Sequence, residues 1–122
     1  MRLWLALAGI NGFIGVGAGA VGWHWLDGDD AAKQMFMMAA QYQVFHGLAL
    51  LGVAWLADRT HNAWTATVPG LLFTVGIVLF SGSLYLFGST GDLPFTGSAP
   101  TGGLCLMAGW LSFVVAGWRT HS

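Results

Sequence analysis

The sequence predicts an all-α integral membrane protein, a four-helix bundle in a single domain, from three observations. Hydrophobic residues make up 56% of the 122 residues and charged residues only 7%, whereas a soluble globular domain carries about 25% charged residues. Four basic and five acidic side chains are too few to cover the surface of so small a domain in water. The mean hydropathy is +0.67, and four apolar segments are each about the 20 residues that cross a bilayer. The predicted spans cover about residues 3–23, 38–57, 66–89 and 100–118.

The first span carries a stripe of small residues on one face. Residues spaced three and four apart share a helical face, and the stripe consists of Gly12, Gly15, Gly19 and Gly22. Because small residues let helix backbones approach closely in lipid, we predict that this face packs against another helix. A cleavable signal peptide is the alternative interpretation, since Ala18-Gly19-Ala20 resembles a cleavage site, but the apolar run continues past it.

The second span follows the acidic turn Asp27-Gly28-Asp29-Asp30, where an aspartate suits the positive end of a helix. The pattern predicts one long helix over about residues 31–57, roughly 40 Å at 1.5 Å per residue, which exceeds the roughly 30 Å hydrocarbon core. We therefore expect an extended or amphipathic start at the membrane surface, with the span itself beginning near Met38. This places His46 near the middle of the bilayer.

The third span has Pro69 in its predicted first turn, where a missing N–H does least harm. A turn-rich loop over residues 90–99 follows it. The fourth span repeats the small-residue pattern of the first, with a stripe of Gly102, Cys105, Gly109 and Ser112. We predict that this stripe is also a helix-packing face.

Basic residues predict the orientation of the chain. With four spans, both termini and the middle loop share one side, which holds Arg2, Arg59 and Arg119, whereas the other side holds only Lys33. The positive-inside rule then places both termini in the cytoplasm. We expect a multi-pass protein of the bacterial inner (plasma) membrane.

Polar side chains inside the predicted spans are the candidate functional residues, because such groups are rare and costly in a bilayer. The candidate intramembrane polar network consists of Asn11, His24, Gln41, Gln43, His46, Ser81, Ser83 and Tyr85. One interpretation is a polar vestibule that opens outward and ends at His46, where a neutral imidazole could relay a proton or hold a polar ligand. The other is a set of interhelical hydrogen bonds, worth about 0.6 kcal/mol each, that fix which helices pair.

The sequence contains no pattern typical of catalysis, metal binding or nucleic-acid binding. A metal site needs three or four converging ligands, and the part of the chain expected inside the membrane holds two histidines, Cys105 and no carboxylate. Haem ligation is disfavoured because His24 and His46 are expected about two turns apart in depth. The net charge of −1 does not indicate the basic surface that nucleic-acid binding requires. We therefore expect no cofactor, no metal and no enzymatic activity.

Several motifs resemble those of a known family. They are Asn11-Gly12-Phe13, Gly22-Trp23-His24, Gln41-Tyr42-Gln43-Val44-Phe45-His46, Phe80-Ser81-Gly82-Ser83-Leu84-Tyr85-Leu86 and Gly109-Trp110. Together they resemble the domain of unknown function 423 (DUF423) family of small integral membrane proteins, which includes transmembrane protein 256. The resemblance covers nearly the whole chain and implies a four-helix membrane protein, but no particular activity. Trp23 departs from the small residue that the family usually has before the histidine.

The favoured hypothesis is a non-enzymatic structural or accessory component, a small multi-pass protein surrounded by membrane lipids. It predicts a homo-oligomer or a membrane-protein partner. The alternative is a small transporter, channel or proton-conducting protein that uses a polar vestibule around His46. An enzyme or cofactor carrier is the third and least favoured class.

Overall fold

Four α-helices make up the computed structural model, which describes residues 2–25 and 30–121. They are α1 (Arg2–Trp25), α2 (Asp30–Arg59), α3 (Ala63–Thr90) and α4 (Ser98–His121). All four are long and apolar enough to cross a membrane, and the described residues form no strand. The predicted all-α membrane fold is therefore confirmed. Most of the predicted acidic turn before α2, residues 27–29, lies outside the described residues.

The two ends of α3 are set by local hydrogen bonds. Asn62 precedes the helix in an extended conformation, and its side-chain oxygen accepts a hydrogen bond from the Trp64 N–H at 3.0 Å, as N-cap residues do. Gly91 follows the helix with a φ of 82°, and its N–H donates to the Phe87 carbonyl at 2.8 Å. This left-handed conformation favours glycine. Because α3 begins three residues before the predicted span, Pro69 lies in the second turn rather than the first.

α2 is one continuous helix of 30 residues, about 45 Å long at 1.5 Å per residue and longer than a roughly 30 Å hydrocarbon core. Its first turns contact the end of α1 through Lys33. The Lys33 ammonium donates to the Trp23 carbonyl at 3.3 Å and lies 5.2 Å from the centroid of the Trp23 ring. We call this the lysine end of the bundle, and the opposite end, where Arg2 and Arg59 lie, the arginine end.

The centre of the bundle is formed by α2 and α3. In the most apolar stretch of each helix, 44% of the residues are buried in α2 and 39% in α3, against 17% in α1 and 22% in α4. α1 packs mainly on α2, and α4 mainly on α3, while Trp4 of α1 also covers Gly70 of α3. Leu50, Val53 and Phe73 are fully buried in the core that results. α1 and α4 therefore present most of their surface to lipid.

The small-residue stripe of α1 faces α2. A Cβ added to Gly15 would lie 2.6 Å from the Val44 side chain, and one added to Gly22 would lie 2.8 Å from side chains of α2. A Cβ on Gly19 would make an ordinary contact at 3.8 Å, and one on Gly12 would have no neighbouring atom within 4 Å. Close packing on α2 therefore depends on two of the four predicted glycines.

The stripe of α4 faces α3. A Cβ added to Gly102 would lie 2.8 Å from a backbone carbonyl carbon of α3, and one added to Gly109 would lie 2.7 Å from the Phe73 ring. Cys105 is a half-buried free thiol. Ser112 is half-buried and donates its hydroxyl to the Gly109 carbonyl at 2.6 Å. Glycine at position 102 thus allows α4 to approach the α3 backbone, and glycine at position 109 leaves room for the Phe73 ring.

Candidate functional site

A chain of hydrogen bonds joins α1, α2 and α3 in the middle of the bundle. The Tyr85 hydroxyl donates to Gln43 Oε1 at 2.7 Å, and Gln43 Nε2 donates to Asn11 Oδ1 at 3.0 Å. Asn11 Nδ2 then donates to the Leu7 carbonyl at 2.8 Å. Each carboxamide accepts with its oxygen and donates with its nitrogen, so the chain runs in one direction. Gln43 and Asn11 are only 6% and 9% exposed, and hydrogen bonds in such a sheltered chain reinforce one another.

Two buried serines of α3 make separate hydrogen bonds. The Ser81 hydroxyl donates to the Ala39 carbonyl of α2 at 2.9 Å. The Ser83 hydroxyl donates to the Leu79 carbonyl of its own helix and lies 2.8 Å from the Ser98 hydroxyl of α4. The contacts of Ser81 with Ala39 and of Ser83 with Ser98 therefore mark where α3 meets α2 and α4.

His46 lies outside that chain and faces α4. Its Nδ1 is 2.7 Å from the Tyr42 carbonyl, and the Trp110 Nε1–H donates to its Nε2 at 3.1 Å. Because an indole N–H can only donate and a carbonyl can only accept, Nε2 accepts and Nδ1 carries the proton. His46 is thus a neutral imidazole with both ring nitrogens hydrogen-bonded. Protonation would set an imidazolium N–H against the indole N–H and break the pair with Trp110.

Aromatic rings surround this imidazole. The ring centroids of Tyr42, Phe73 and Trp110 lie 6.0, 5.7 and 5.8 Å from that of His46. Phe73 also packs edge to face against Trp110 at 5.2 Å and against Phe113 at 5.1 Å. Such pairs contribute about 0.5–1.5 kcal/mol each beyond the area they bury. His46 is therefore built into an aromatic part of the core.

A groove opens between α2 and α4 beside the His46–Trp110 pair, and we call it the α2–α4 groove. Its wide part has a volume of about 1020 Å³. A narrow part of about 220 Å³ continues it toward the arginine end and shares Gly52 and Phe113 with the wide part. Leu48 and Leu104, which line the wide part, are 60% and 66% exposed, so the groove opens sideways toward lipid. The side chains that line it are otherwise mostly apolar or aromatic, and include Phe45, Ala49, Phe80, Leu106 and Met107.

The predicted polar network divides into separate groups. Although Gln43 and His46 are three residues apart, Gln43 bonds to α1 and α3 whereas His46 bonds to α4. His24 and Gln41 are exposed and lie outside these groups. Gln41 lines a separate cavity of about 620 Å³ at the lysine end, together with Lys33. The described residues thus place six of the eight predicted side chains in interior contacts and two at the surface.

Sequence reasoning did not select Trp110 or Ser98 as site residues. Trp110 lies near the middle of α4, far from the interfaces where tryptophan is enriched in membrane proteins, and that position is a signal that could have identified it. Ser98 is fully buried at the start of α4. It falls within the turn-rich loop predicted from the sequence, where nothing distinguishes it from its exposed neighbours.

The site offers no set of metal ligands. Within residues 2–25 and 30–121, no group of three or more His, Cys, Asp or Glu residues lies together. Both nitrogens of His46 are already hydrogen-bonded, so neither has a free lone pair for a metal. The chemistry that the arrangement offers is that of an apolar groove with a few fixed polar groups on its floor.

Comparison with known proteins identifies the family. The family described as "Protein of unknown function (DUF423)" matches residues 18–103. The chain belongs to the DUF423 family. The UPF0382 membrane protein YwdK of Bacillus subtilis is 38% identical to this DUF423 chain over 118 residues, which are 95% of the chain and 96% of YwdK. The UPF0382 inner membrane protein YgdD of Escherichia coli K12 is 36% identical over 120 residues, which are 97% of the chain and 91% of YgdD.

These comparisons confirm the expected family and membrane location. The UPF0382 membrane protein SERP0230 of Staphylococcus epidermidis is a further relative, 36% identical over 118 residues that are 95% of each chain. The relatives are named as membrane proteins, in agreement with the four apolar helices. No solved structure matches this DUF423 protein.

Proposed function

We propose that this DUF423 protein is a non-enzymatic structural or accessory component of the bacterial inner membrane that binds a hydrophobic membrane molecule in the α2–α4 groove. One observation carries the proposal: the groove is large and apolar and opens toward lipid. Small-molecule sites are typically clefts of about 300–1,000 Å³, lined mostly by apolar and aromatic side chains with few polar groups. The groove, at about 1020 Å³, has this size and character.

The polar side chains of the spans support a structural role. Asn11, Gln43 and Tyr85 direct their polar groups at one another, and Ser81 reaches a backbone carbonyl of α2. In lipid, such bonds contribute little energy individually but determine which helices pair. These hydrogen bonds therefore fix which helices pair and how they are aligned.

A transporter, channel or proton-conducting role for His46 is less well supported. Both ring nitrogens already have partners, and the groove beside the imidazole is apolar. A proton relay needs groups that can both accept and donate, whereas the Trp110 indole can only donate. A relay would have to break the Trp110 pair in every cycle.

We further propose that both termini lie in the cytoplasm. Arg2 and Arg59 are exposed at the arginine end, whereas Lys33 donates a hydrogen bond to the end of α1 at the lysine end. The positive-inside rule places the side with more basic residues in the cytoplasm. The name of the relative YgdD as an inner membrane protein supports the location. A green fluorescent protein fused to the C-terminus should fluoresce, and an alkaline phosphatase fused there should be inactive; the reverse pattern would contradict this orientation.

Native mass spectrometry of the full chain released from bacterial membranes tests the groove. The wild-type protein should retain a non-covalently bound hydrophobic molecule. Gly52→Leu places a side chain in the groove and should remove that molecule. Gly17→Leu is the matched control, because Gly17 is exposed on α1 and a Cβ there would have no atom within 4 Å; it should retain the molecule.

Equal retention by all three proteins would place the bound molecule elsewhere, and a wild-type protein without one would contradict the proposal. A second copy of the chain in the groove would instead give a dimer mass that Gly52→Leu abolishes. In liposomes the protein should conduct no protons. A proton flux that is lost in His46→Asn would support the transport alternative.

A further inference from the structure

The α2–α4 groove ends beside an arginine. Trp55 lines the narrow part of the groove and is 55% exposed. The guanidinium carbon of Arg59, one helical turn further along α2, lies 5.2 Å from the centroid of the Trp55 ring, as residues four apart on a helix allow. The groove therefore combines an apolar body in the membrane with a cation at its end.

We propose that the α2–α4 groove binds one acyl chain of an anionic phospholipid from the leaflet at the arginine end, with the lipid phosphate at Arg59. This inference rests on the proposed function, because it names the class of molecule that the groove holds. The narrow part of the groove would hold the first segment of the acyl chain, next to the headgroup, and the wide part would hold the rest of the acyl chain.

The length of the groove suits an acyl chain. Along α2 its lining residues run from Leu56 to Tyr42, a distance of about 21 Å at 1.5 Å per residue. One leaflet of a roughly 30 Å core is about 15 Å deep. His46 lies nine residues from Trp55, about 14 Å along the helix. An acyl chain from that leaflet would therefore fit entirely within the groove, and its end would lie level with His46.

Charge favours a lipid over a helix of another protein as the occupant. The narrow part of the groove, between Trp55 and Gly117, holds about 220 Å³ and ends beside the Arg59 guanidinium. An anionic phospholipid supplies both an apolar chain for the groove and a phosphate for this cation, whereas an apolar helix would leave the cation without an anion.

Arg59 is well placed for a phosphate group. The cation–π contact with the Trp55 ring uses none of the guanidinium N–H donors, and these donors bind phosphate oxygens in pairs. Asp58 precedes Arg59 in the sequence but lies about 100° around the helix from it. Arg119, at the same end of the bundle, lines a separate cavity between α3 and α4. Basic residues next to transmembrane helices recognise anionic lipids in this way.

Photo-crosslinking of the full chain in phosphatidylcholine vesicles tests this inference. The probe is a phosphatidylglycerol with a photoactivatable group on one acyl chain, and the labelled residues are mapped by peptide mass spectrometry. Labelling should concentrate on groove residues such as Phe113 and Leu48. Unlabelled phosphatidylglycerol should compete about fivefold more effectively than unlabelled phosphatidylcholine, the effect expected for one basic residue near the membrane surface.

Two arginine variants separate the site from general surface charge. Arg59→Gln should abolish the fivefold preference while labelling of the groove persists. Arg2→Gln removes the same charge at the same end of the bundle, but from α1, which contributes no lining residue to the groove; it should keep the preference. Equal effects of the two variants would overturn the assignment of Arg59.

The remaining outcomes distinguish this inference from the proposed function. Groove labelling with equal competition by the two lipids would overturn the anionic-lipid inference and leave the proposed groove function standing. Labelling spread evenly over lipid-facing residues, without enrichment in the groove and unchanged by Gly52→Leu, would overturn both. Crosslinks that join two copies of the chain through the groove would replace the lipid with a second protomer.

Discussion

Glycine at position 102 sets the distance between α3 and α4, and the neighbouring Gly103 provides its control. A Cβ on Gly102 would lie 2.8 Å from the carbonyl carbon and the Cβ of Leu79 and would clash with the backbone nitrogen of Phe80. Two of these three atoms belong to the backbone, so no side-chain rotation can make room. A Cβ on Gly103 would lie 3.7 Å from the Phe80 ring, which is an ordinary van der Waals contact.

The size of the effect follows from these distances. Carbon atoms are in favourable contact at about 3.5–4.0 Å, so Gly102→Ala requires α4 to move away from α3 by up to roughly 1 Å, and a gap of that size forfeits a quarter to a half of each contact energy. Overpacking of this kind lowers stability by about 1–3 kcal/mol. The gain in helix propensity on replacing glycine by alanine, about 0.5–1 kcal/mol, applies to both positions and cancels between them. Gly102→Ala should therefore be less stable than Gly103→Ala by about 1–3 kcal/mol.

Equilibrium unfolding in mixed micelles measures this difference. Increasing dodecyl sulfate unfolds the helices, and tryptophan fluorescence with far-ultraviolet circular dichroism gives the free energy of unfolding for each variant. Gly103→Ala should match or slightly exceed the wild type. Equal stability of Gly102→Ala and Gly103→Ala would refute the close approach of α4 to the α3 backbone.

Four further substitutions test the polar groups of the helices. Gln43→Leu should lower the free energy of unfolding by about 1–3 kcal/mol, because it removes two interhelical bonds worth up to about 1.7 kcal/mol each; simple additivity with Tyr85→Phe in a double-mutant cycle would contradict their coupling. Solid-state nitrogen NMR should find His46 protonated at Nδ1, with Nε2 accepting a hydrogen bond that Trp110→Phe removes; a proton on Nε2 in the wild type would refute the assignment. Thr74→Val should leave the free energy of unfolding unchanged or raise it by about 1 kcal/mol, because the Thr74 hydroxyl is buried without a hydrogen-bond partner among the described residues, and a clear loss of stability would argue against that reasoning.

Hydropathy was sufficient to predict the four helices but not their ends. A segment that crosses lipid must satisfy its own backbone hydrogen bonds, so a long apolar run becomes a helix whatever its neighbours are. The ends depend on local groups outside the apolar run. α3 begins after the Asn62 cap and continues to Thr90, where the left-handed Gly91 ends it, and neither boundary is visible in the hydropathy of the chain.

The polar site was predictable in composition but not in connectivity. Residues three apart on a helix are separated by about 60° around its axis, which in a bundle is enough for Gln43 to face α1 and α3 while His46 faces α4. Which neighbour each side chain meets depends on how the helices are arranged around α2. The α2–α4 groove has the same origin, because it exists where two helices that are distant in sequence fail to close on each other.

A high-resolution structure of the full chain in nanodiscs of phosphatidylglycerol and phosphatidylcholine, with a bound fiducial to compensate for its small size, would show directly whether the groove holds an anionic lipid. We expect elongated density in the α2–α4 groove that begins at Arg59 and ends level with His46, and an intact hydrogen bond from Trp110 to His46. A closed groove, or a column of ordered water reaching a His46 that has lost Trp110, would contradict this expectation.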